Sequence, residues 1–263
     1  MRITHHISLA VDAELELRFR ALGLDVGQGF ATFDVDEANP NWEAIARIVA
    51  EHLAVHLVFT TFTPAELRAA EFVKIGPDWH HGYPQPEDTY REVTYDLRDY
   101  CEQCGIGGVQ KAPFRMKSEP KWGKRSLLQL NWVFDEYFVE PSAWETVLKP
   151  LGIETQPVLH HRTGKPLDTV LQLTIPKVAD AGLKLGDHPH TWCTRCERKK
   201  YLPFTRGCFP SFASDSPSAP IAKTQEWFGS GASASRAVVI SKSVYAALSS
   251  NRLRGCTYSP LCE

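Results

Sequence analysis

Cys101-Glu102-Gln103-Cys104-Gly105 and Cys193-Thr194-Arg195-Cys196 are the two stretches on which the fold of this chain turns. Two cysteines two residues apart grip one metal ion from a tight turn, and a second such pair completes a tetrahedral set of sulfurs. Four thiolates leave no open position for water or substrate, so the spacing predicts a structural zinc site rather than a catalytic one. The glycine after Cys104 permits a positive φ and lets backbone amides approach sulfur. Glu197 stands where the second pair would carry its glycine. The 88 residues between the pairs make a long insert. Each doubling of loop length costs only about 0.6 kcal/mol, and the insert has strand patterns of its own. Two redox CxxC pairs or unrelated buried thiols are the competing readings.

Working outward, Cys208, Cys256 and Cys262 lack this spacing and read as core or tail thiols. Seven cysteines cannot all pair within one chain, and the expectation is a reducing cytoplasm in which they stay thiols. No apolar run reaches the roughly 18 residues of a membrane span. Met1 to Glu16 lacks the unbroken apolar stretch of a signal peptide, so no membrane partner is expected. Charge is unevenly spread. Residues 1–100 hold 8 Lys+Arg against 17 Asp+Glu, whereas residues 101–263 hold 21 against 14. Such a split can steer a charged partner, or simply give two solvated faces that attract each other.

The hydrophobic pattern predicts an α+β fold, with mixed or antiparallel sheets and a few short helices, stapled by a split zinc-ribbon-like site of four cysteines. Ile3, Ile7, Leu9 and Val11 alternate as in a strand, and Leu15, Leu17 and Phe19 continue the alternation. Trp42, Ile45, Ile48, Val49 and Leu53 recur at helical spacing. Leu57 to Phe59 reads as a short buried strand. Thr63-Pro64-Ala65-Glu66 is a capping box opening a helix whose apolar face is Leu67, Ala70 and Val73. Leu127 to Val139 reads as one strand, Ser142 as the cap of a short helix, Ala143 to Leu148, stopped by Pro150. Val158–Leu159, Thr169–Ile175 and Ala237–Ile240 read as further strands, with a Ser243-capped helix through Leu248 after the last. The organisation expected is an acidic α+β part over 1–95, the zinc knuckles with their insert over 96–210, a Ser/Ala/Pro/Gly-rich loop over 211–236 and a strand-helix tail over 237–263; one domain holding all four also fits. Gly229-Ser-Gly-Ala-Ser233 lacks the Gly-Lys-Ser/Thr ending of a phosphate loop and reads as a flexible turn.

Other residues invite functional readings. Lys121, Lys124, Arg125, Arg198 and Lys199 lie near aromatics and flank the cysteine pairs, a pattern suited to phosphates and stacked bases. His80, His81, His188 and His190 suggest a metal or acid–base site, and His190 is an alternative fourth ligand at the structural site. No nucleophile–base or metal-hydrolase motif accompanies them, so an enzyme is the less favoured reading. Asp34, Asp36, Glu37 and Glu43 form an acidic group suited to a cationic protein partner.

On Cys101-Glu-Gln-Cys104-Gly105, Cys193-Thr-Arg-Cys196, and a C-terminal glycine/serine turn, valine-rich strand and helix ending near Gly255, the chain resembles the bacterial double-CxxCG motif family described among myxobacterial paralogues. The missing second glycine departs from that pattern. Some members resemble immunity proteins that neutralise a toxin, so the resemblance implies a non-enzymatic binding role and a toxin-like protein partner. The expectation is therefore a zinc-stabilised binding protein. A nucleic-acid-binding zinc protein and a metal-assisted hydrolase are the alternatives.

Overall fold

Along Arg2–Val11 burial alternates from His5 onward: His5, Ile7, Leu9 and Val11 face inward, and His6, Ser8 and Ala10 do not. This is the period of a strand with one packed face. The computed structural model describes residues 1–52, 54–175, 178–214 and 217–262 and divides into two compact units, Met1–Glu66 with Phe204–Cys208, and Leu67–Pro203 with Phe209–Glu263. In the first unit, β1 (Arg2–Val11) is the centre of a three-stranded antiparallel sheet, flanked by β2 (Gly29–Asp36) and β3 (Val55–Thr61). Helices α1 (Ala13–Ala21) and α2 (Trp42–Glu51) cover one face, where Leu15, Phe19, Ile45, Ile48 and Val49 join Ile7, Leu9, Val11 and Val35 in one core. Leu53, expected on the apolar face of α2, lies outside the described residues.

Two expectations for this unit are corrected. The run through Leu15, Leu17 and Phe19 is helix, not strand. Asp12 caps it, its carboxylate accepting from the Leu15 N–H at 2.8 Å. Leu15 and Phe19, one turn apart, are buried while Leu17 is 62% exposed. Period-two and i,i+4 patterns coincide at positions 15 and 19, and the cap decides between them. Residues 57–59 do form a strand, but Leu57 and Phe59 face outward on β3 rather than into the core.

The capping box forms as expected: the Thr63 N–H donates to Glu66 Oε2 at 2.8 Å and the Glu66 N–H to Thr63 Oγ1 at 3.3 Å. It opens α3 (Pro64–Ala69), which ends before Val73. Val73 belongs instead to β4 (Phe72–Pro77). The second unit continues with α4 (Tyr90–Thr94), β5 (Tyr95–Asp96), β6 (Val109–Gln110), β7 (Arg115–Met116), β8 (Leu127–Leu128), β9 (Phe138–Val139), α5 (Pro141–Ala143), β10 (Thr155–His160) and β11 (Pro166–Leu173). Its later elements are β12 (His190–Trp192), β13 (Lys199–Tyr201), β14 (Phe209–Pro210), β15 (Ile221–Phe228), β16 (Ser235–Ser241), α6 (Lys242–Ser250) and β17 (Cys256–Cys262). These make a seven-stranded sheet ordered β12-β13-β15-β16-β4-β17-β14, a five-stranded sheet ordered β7-β10-β11-β9-β8, and the β5-β6 pair. Most pairings are antiparallel; β7–β10, β13–β15 and β14–β17 are parallel. The fold is mixed α+β with short helices, as the pattern implied.

Three further readings change here. Leu127 to Val139 is two short strands, β8 and β9, joined by a reversal in which Trp132 takes a φ of +66°. Leu130, Trp132, Val133 and Phe134 within the reversal carry the apolar run across it and concealed the turn. The helical stretch expected from Ser142 begins at Pro141 and runs on through Pro150 to Leu151, while Ser241, not Ser243, caps α6. Residues 211–236, expected to be a loop, contain β15, with Ile221, Ala222, Thr224 and Phe228 buried. Small residues around it lowered the apparent strand signal, and pairing with β16 and β13 supplies what local propensity lacks.

The cap at the start of α1 carries a direct test. Asp12→Ala should destabilise the protein by about 1 kcal/mol, read as a shift of the denaturant midpoint. An unchanged midpoint would show that α1 is held by packing alone.

Candidate metal centre

Each cysteine pair occupies the tip of a hairpin. Cys101 and Cys104 lie between β5 and β6, and Cys193 and Cys196 between β12 and β13. The two turns repeat the same hydrogen bonds at the same offsets. In the first, the Gly105 N–H donates to Cys101 O at 2.7 Å and the Cys101 N–H to Ile106 O at 2.8 Å. In the second, the Glu197 N–H donates to Cys193 O at 2.9 Å and the Cys193 N–H to Arg198 O at 3.0 Å. The residue after the second cysteine takes positive φ in both, +80° at Gly105 and +57° at Glu197. Lacking the glycine, the second turn forms the same shape, at the cost of about 1–2 kcal/mol for a left-handed residue with a Cβ. Gly105 meets a further constraint. A Cβ there would lie 2.5 Å from Ala232 O and 2.8 Å from Ala234 N, both backbone atoms.

The four sulfurs converge. All lie within 4.8 Å of one another, with Cys101 Sγ 3.7 Å from Cys193 Sγ and Cys104 Sγ 3.6 Å from Cys196 Sγ. A tetrahedral ion with metal–sulfur bonds of about 2.3 Å requires sulfur–sulfur edges of about 3.8 Å. The described cluster has that size, so these residues can hold a metal ion. Cys101, Cys104 and Cys193 are buried, packed with Ile106, Trp227 and Ala234. Outside the sulfurs, Gln103 Nε2 donates to Thr194 Oγ1 at 3.0 Å, joining one turn to the other.

Two basic side chains brace this arrangement. Lys200 is buried on β13, and its ammonium donates to the carbonyls of Cys104 (2.8 Å), Gly231 (2.6 Å) and Ser233 (2.9 Å). It ties the first knuckle to the turn before β16. Arg198 donates from Nη2 to Asp99 O (2.7 Å) and Ile106 O (3.2 Å), and from Nε to Cys196 Sγ at 3.4 Å. Taken as free thiols, Cys196 is held down at about 6 by that guanidinium, while burial pushes Cys104 up to about 12. Arg198 therefore favours the thiolate form that binds metal.

The remaining sequence candidates fall in different surroundings. Arg198 is engaged as described, and Lys199 donates to Tyr201 Oη at 3.0 Å and lies over the Trp192 ring. Lys121, Lys124 and Arg125 are exposed, with Arg125 over the Trp79 ring. His80 and His81 lie along the Gln129 strand segment, His81 contacting Ser118 O at 3.2 Å. His188 Nε2 meets Leu202 O at 2.8 Å, and His190 Nδ1 meets His188 O at 3.0 Å. The histidines join no metal-sized cluster among the described residues, and His190 does not replace a cysteine. In the first unit, Asp34 is exposed beside His6 on the sheet face that the helices leave uncovered. Asp36 pairs with Arg2 at 2.6 Å, and Glu37 with Arg206 and, at 3.1 Å, with His5. The Ala38 N–H, then Arg2, lower the Asp36 pKa, and Arg206 lowers that of Glu37. Glu43 is exposed on α2, which packs against the other face. The acidic group is thus split between two sides of the sheet.

Cys208 and Cys262 are not free thiols, which corrects the expectation that every cysteine outside the cluster stays reduced. Cys256 is a free cysteine whose burial pushes its thiol up to about 12. Among the described residues, no helix is long and apolar enough to cross a membrane. No family model, curated protein or solved structure matches the chain.

The two turns predict opposite responses. Gly105→Ala should lower the unfolding free energy of the metal-loaded protein by roughly 2 kcal/mol, read from the denaturant midpoint, because its Cβ meets backbone that cannot yield. Glu197→Gly should leave stability unchanged or raise it by up to about 1 kcal/mol. A loss from Glu197→Gly as large as that from Gly105→Ala would overturn the strain assigned to Glu197.

Proposed function

We propose that this chain is a zinc-stapled, non-enzymatic binding protein that recognises a protein partner. The observation that carries the reading is the closed four-sulfur cluster. Four thiolates at tetrahedral spacing suit zinc, fill its coordination and leave no place for substrate or an activated water. Such an ion contributes to folding rather than to chemistry. Cys101, Cys104, Cys193 and Cys196 would hold it, and Lys200 and Arg198 would orient the two turns around it.

The partner reading draws on the first unit. The open face of its sheet presents Phe30 (78% exposed) and Leu57 (58% exposed), with Val55 and Phe59, beside the carboxylate of Asp34. Exposed apolar side chains grouped on one face, with charge among them, suit a macromolecular contact. An acidic contribution favours a cationic partner and speeds encounter. Together with the resemblance to the double-CxxCG family, this supports an immunity-type role, in which the partner is a toxin.

Purified protein should contain one zinc per chain by elemental analysis. Cys101→Ser should abolish the stoichiometry and lower stability by several kcal/mol, since metal affinity becomes folding energy. Metal-free protein of unchanged stability would overturn the zinc reading. Separately, the product of the adjacent gene should bind the chain, with Leu57→Ser weakening the complex at least about tenfold. Asp34→Asn should slow association more than it speeds dissociation, and added salt should mimic it. No complex, or kinetics indifferent to both substitutions, would remove the partner reading and leave the zinc site standing.

A further inference from the structure

A cavity of about 470 Å³ lies in the second unit, lined by both large sheets, the β5–β6 pair and Gly105 of the first knuckle. Pockets that hold small ligands commonly span about 300–1,000 Å³. Its floor is a connected polar network. Gln172 of β11, fully buried, accepts from Gln110 Nε2 at 2.9 Å and from Gln156 Nε2 at 3.0 Å. It donates to Gln110 Oε1 at 2.7 Å and to Glu136 Oε2 at 3.1 Å. Glu136, also buried, accepts from the Lys223 ammonium, which lies 3.7 Å from Asp135.

Taking charges and amides out of water is costly unless each is satisfied. Gln156, whose amide donates to Gln172, is only half-buried, so its side chain stands at the solvent-reached edge of this network. The lining also includes two large exposed aromatics, Trp132 (47%) and Phe134 (46%). Arg91, Lys111, Lys223 and Arg236 outnumber Asp135 and Glu136 among the charged lining residues described. The site therefore combines flat apolar rings, hydrogen-bonding amides and an excess of positive charge. A planar heterocycle with several donors and acceptors uses the first two, and an attached anion uses the third.

We propose that this cavity binds a nucleoside monophosphate, with the base against the Gln156 amide and an aromatic ring, and the phosphate toward the exposed Arg91 and Lys111. The competing account is that Glu136 and Lys223 only bridge two sheets. The proposal does not depend on the protein-partner reading.

Calorimetric titration of the full, metal-loaded chain with the four ribonucleoside 5′-monophosphates decides between these accounts. At least one nucleotide should bind saturably with a Kd below ~1 mM. Ribose 5-phosphate and inorganic phosphate should bind at least about tenfold more weakly. Gln156→Leu should weaken the nucleotide about tenfold or more, while the loss of stability stays at the roughly 1 kcal/mol of its one hydrogen bond to Gln172. Lys111→Gln, at an exposed position, should weaken the nucleotide and leave the free nucleoside unaffected. Absence of saturable binding by any nucleotide overturns the proposal. So does equal binding of ribose 5-phosphate, or nucleotide binding that both substitutions leave unchanged.

Discussion

From the standpoint of the four sulfurs, all 88 residues between Cys104 and Cys193 are a single loop. Closing it brings together two hairpin tips whose backbone hydrogen bonds are copies of one another. Neither tip has a large core beneath it. The β5–β6 ladder is two residues per strand and the β12–β13 ladder three. The β5–β6 pair is a two-stranded ribbon marginal in water, and β12 is a three-residue strand at the edge of the seven-stranded sheet, so a metal held by the four cysteines would make the tips dependable. A metal suits this task because its bonds are directional and strong, whereas among the described residues the apolar side chains packed on the tips are few, Ile106, Trp227 and Ala234.

The four-cysteine cluster is braced by a cation of the chain itself. Lys200 places its ammonium among three backbone carbonyls, two of them from the turn between β15 and β16. A buried ammonium needs such acceptors to offset lost hydration, and carbonyls at turns have unused lone pairs to give. The same turn crowds Gly105, where Ala232 O leaves no room for a Cβ. Residues 229–234 are thus a packing partner of the first knuckle, and their glycines and serines serve close approach more than flexibility.

How much of this was legible depended on the range of the interactions. The cysteine spacing was readable because metal geometry is local: two residues between ligands and a left-handed residue after them describe the turn completely. The capping box at Thr63 and Glu66 was readable for the same reason. Lys200 was not, since nothing in Lys199-Lys200-Tyr201 distinguishes a buried ammonium from two solvated ones until the carbonyls of residues 231 and 233 are in place. Strand β15 escaped notice because its alternation is broken by a register shift between Lys223 and Trp227. The polar floor around Gln172 had no signature either: a glutamine inside Leu171-Gln172-Leu173 looks like the outward side of a strand, and only the crossing of several sheets turns it inward.

Strand β4 spends most of the chain's length waiting. Its neighbours in the seven-stranded sheet are β16 and β17, which begin at Ser235 and Cys256, whereas β4 itself ends at Pro77. During synthesis the five-stranded sheet, drawn from residues 115–173, can assemble from neighbouring segments. The buried side chains of Phe72, Val73 and Ile75, by contrast, stay without their sheet partners on both edges until residues 235–262 have emerged. Contacts of such long sequence separation form slowly, and an unpaired apolar strand is a template for association with other chains. Synthesis from the N-terminus thus leaves β4 open to misassembly across more than 150 residues, and makes β16 and β17 the strands that complete the sheet around it.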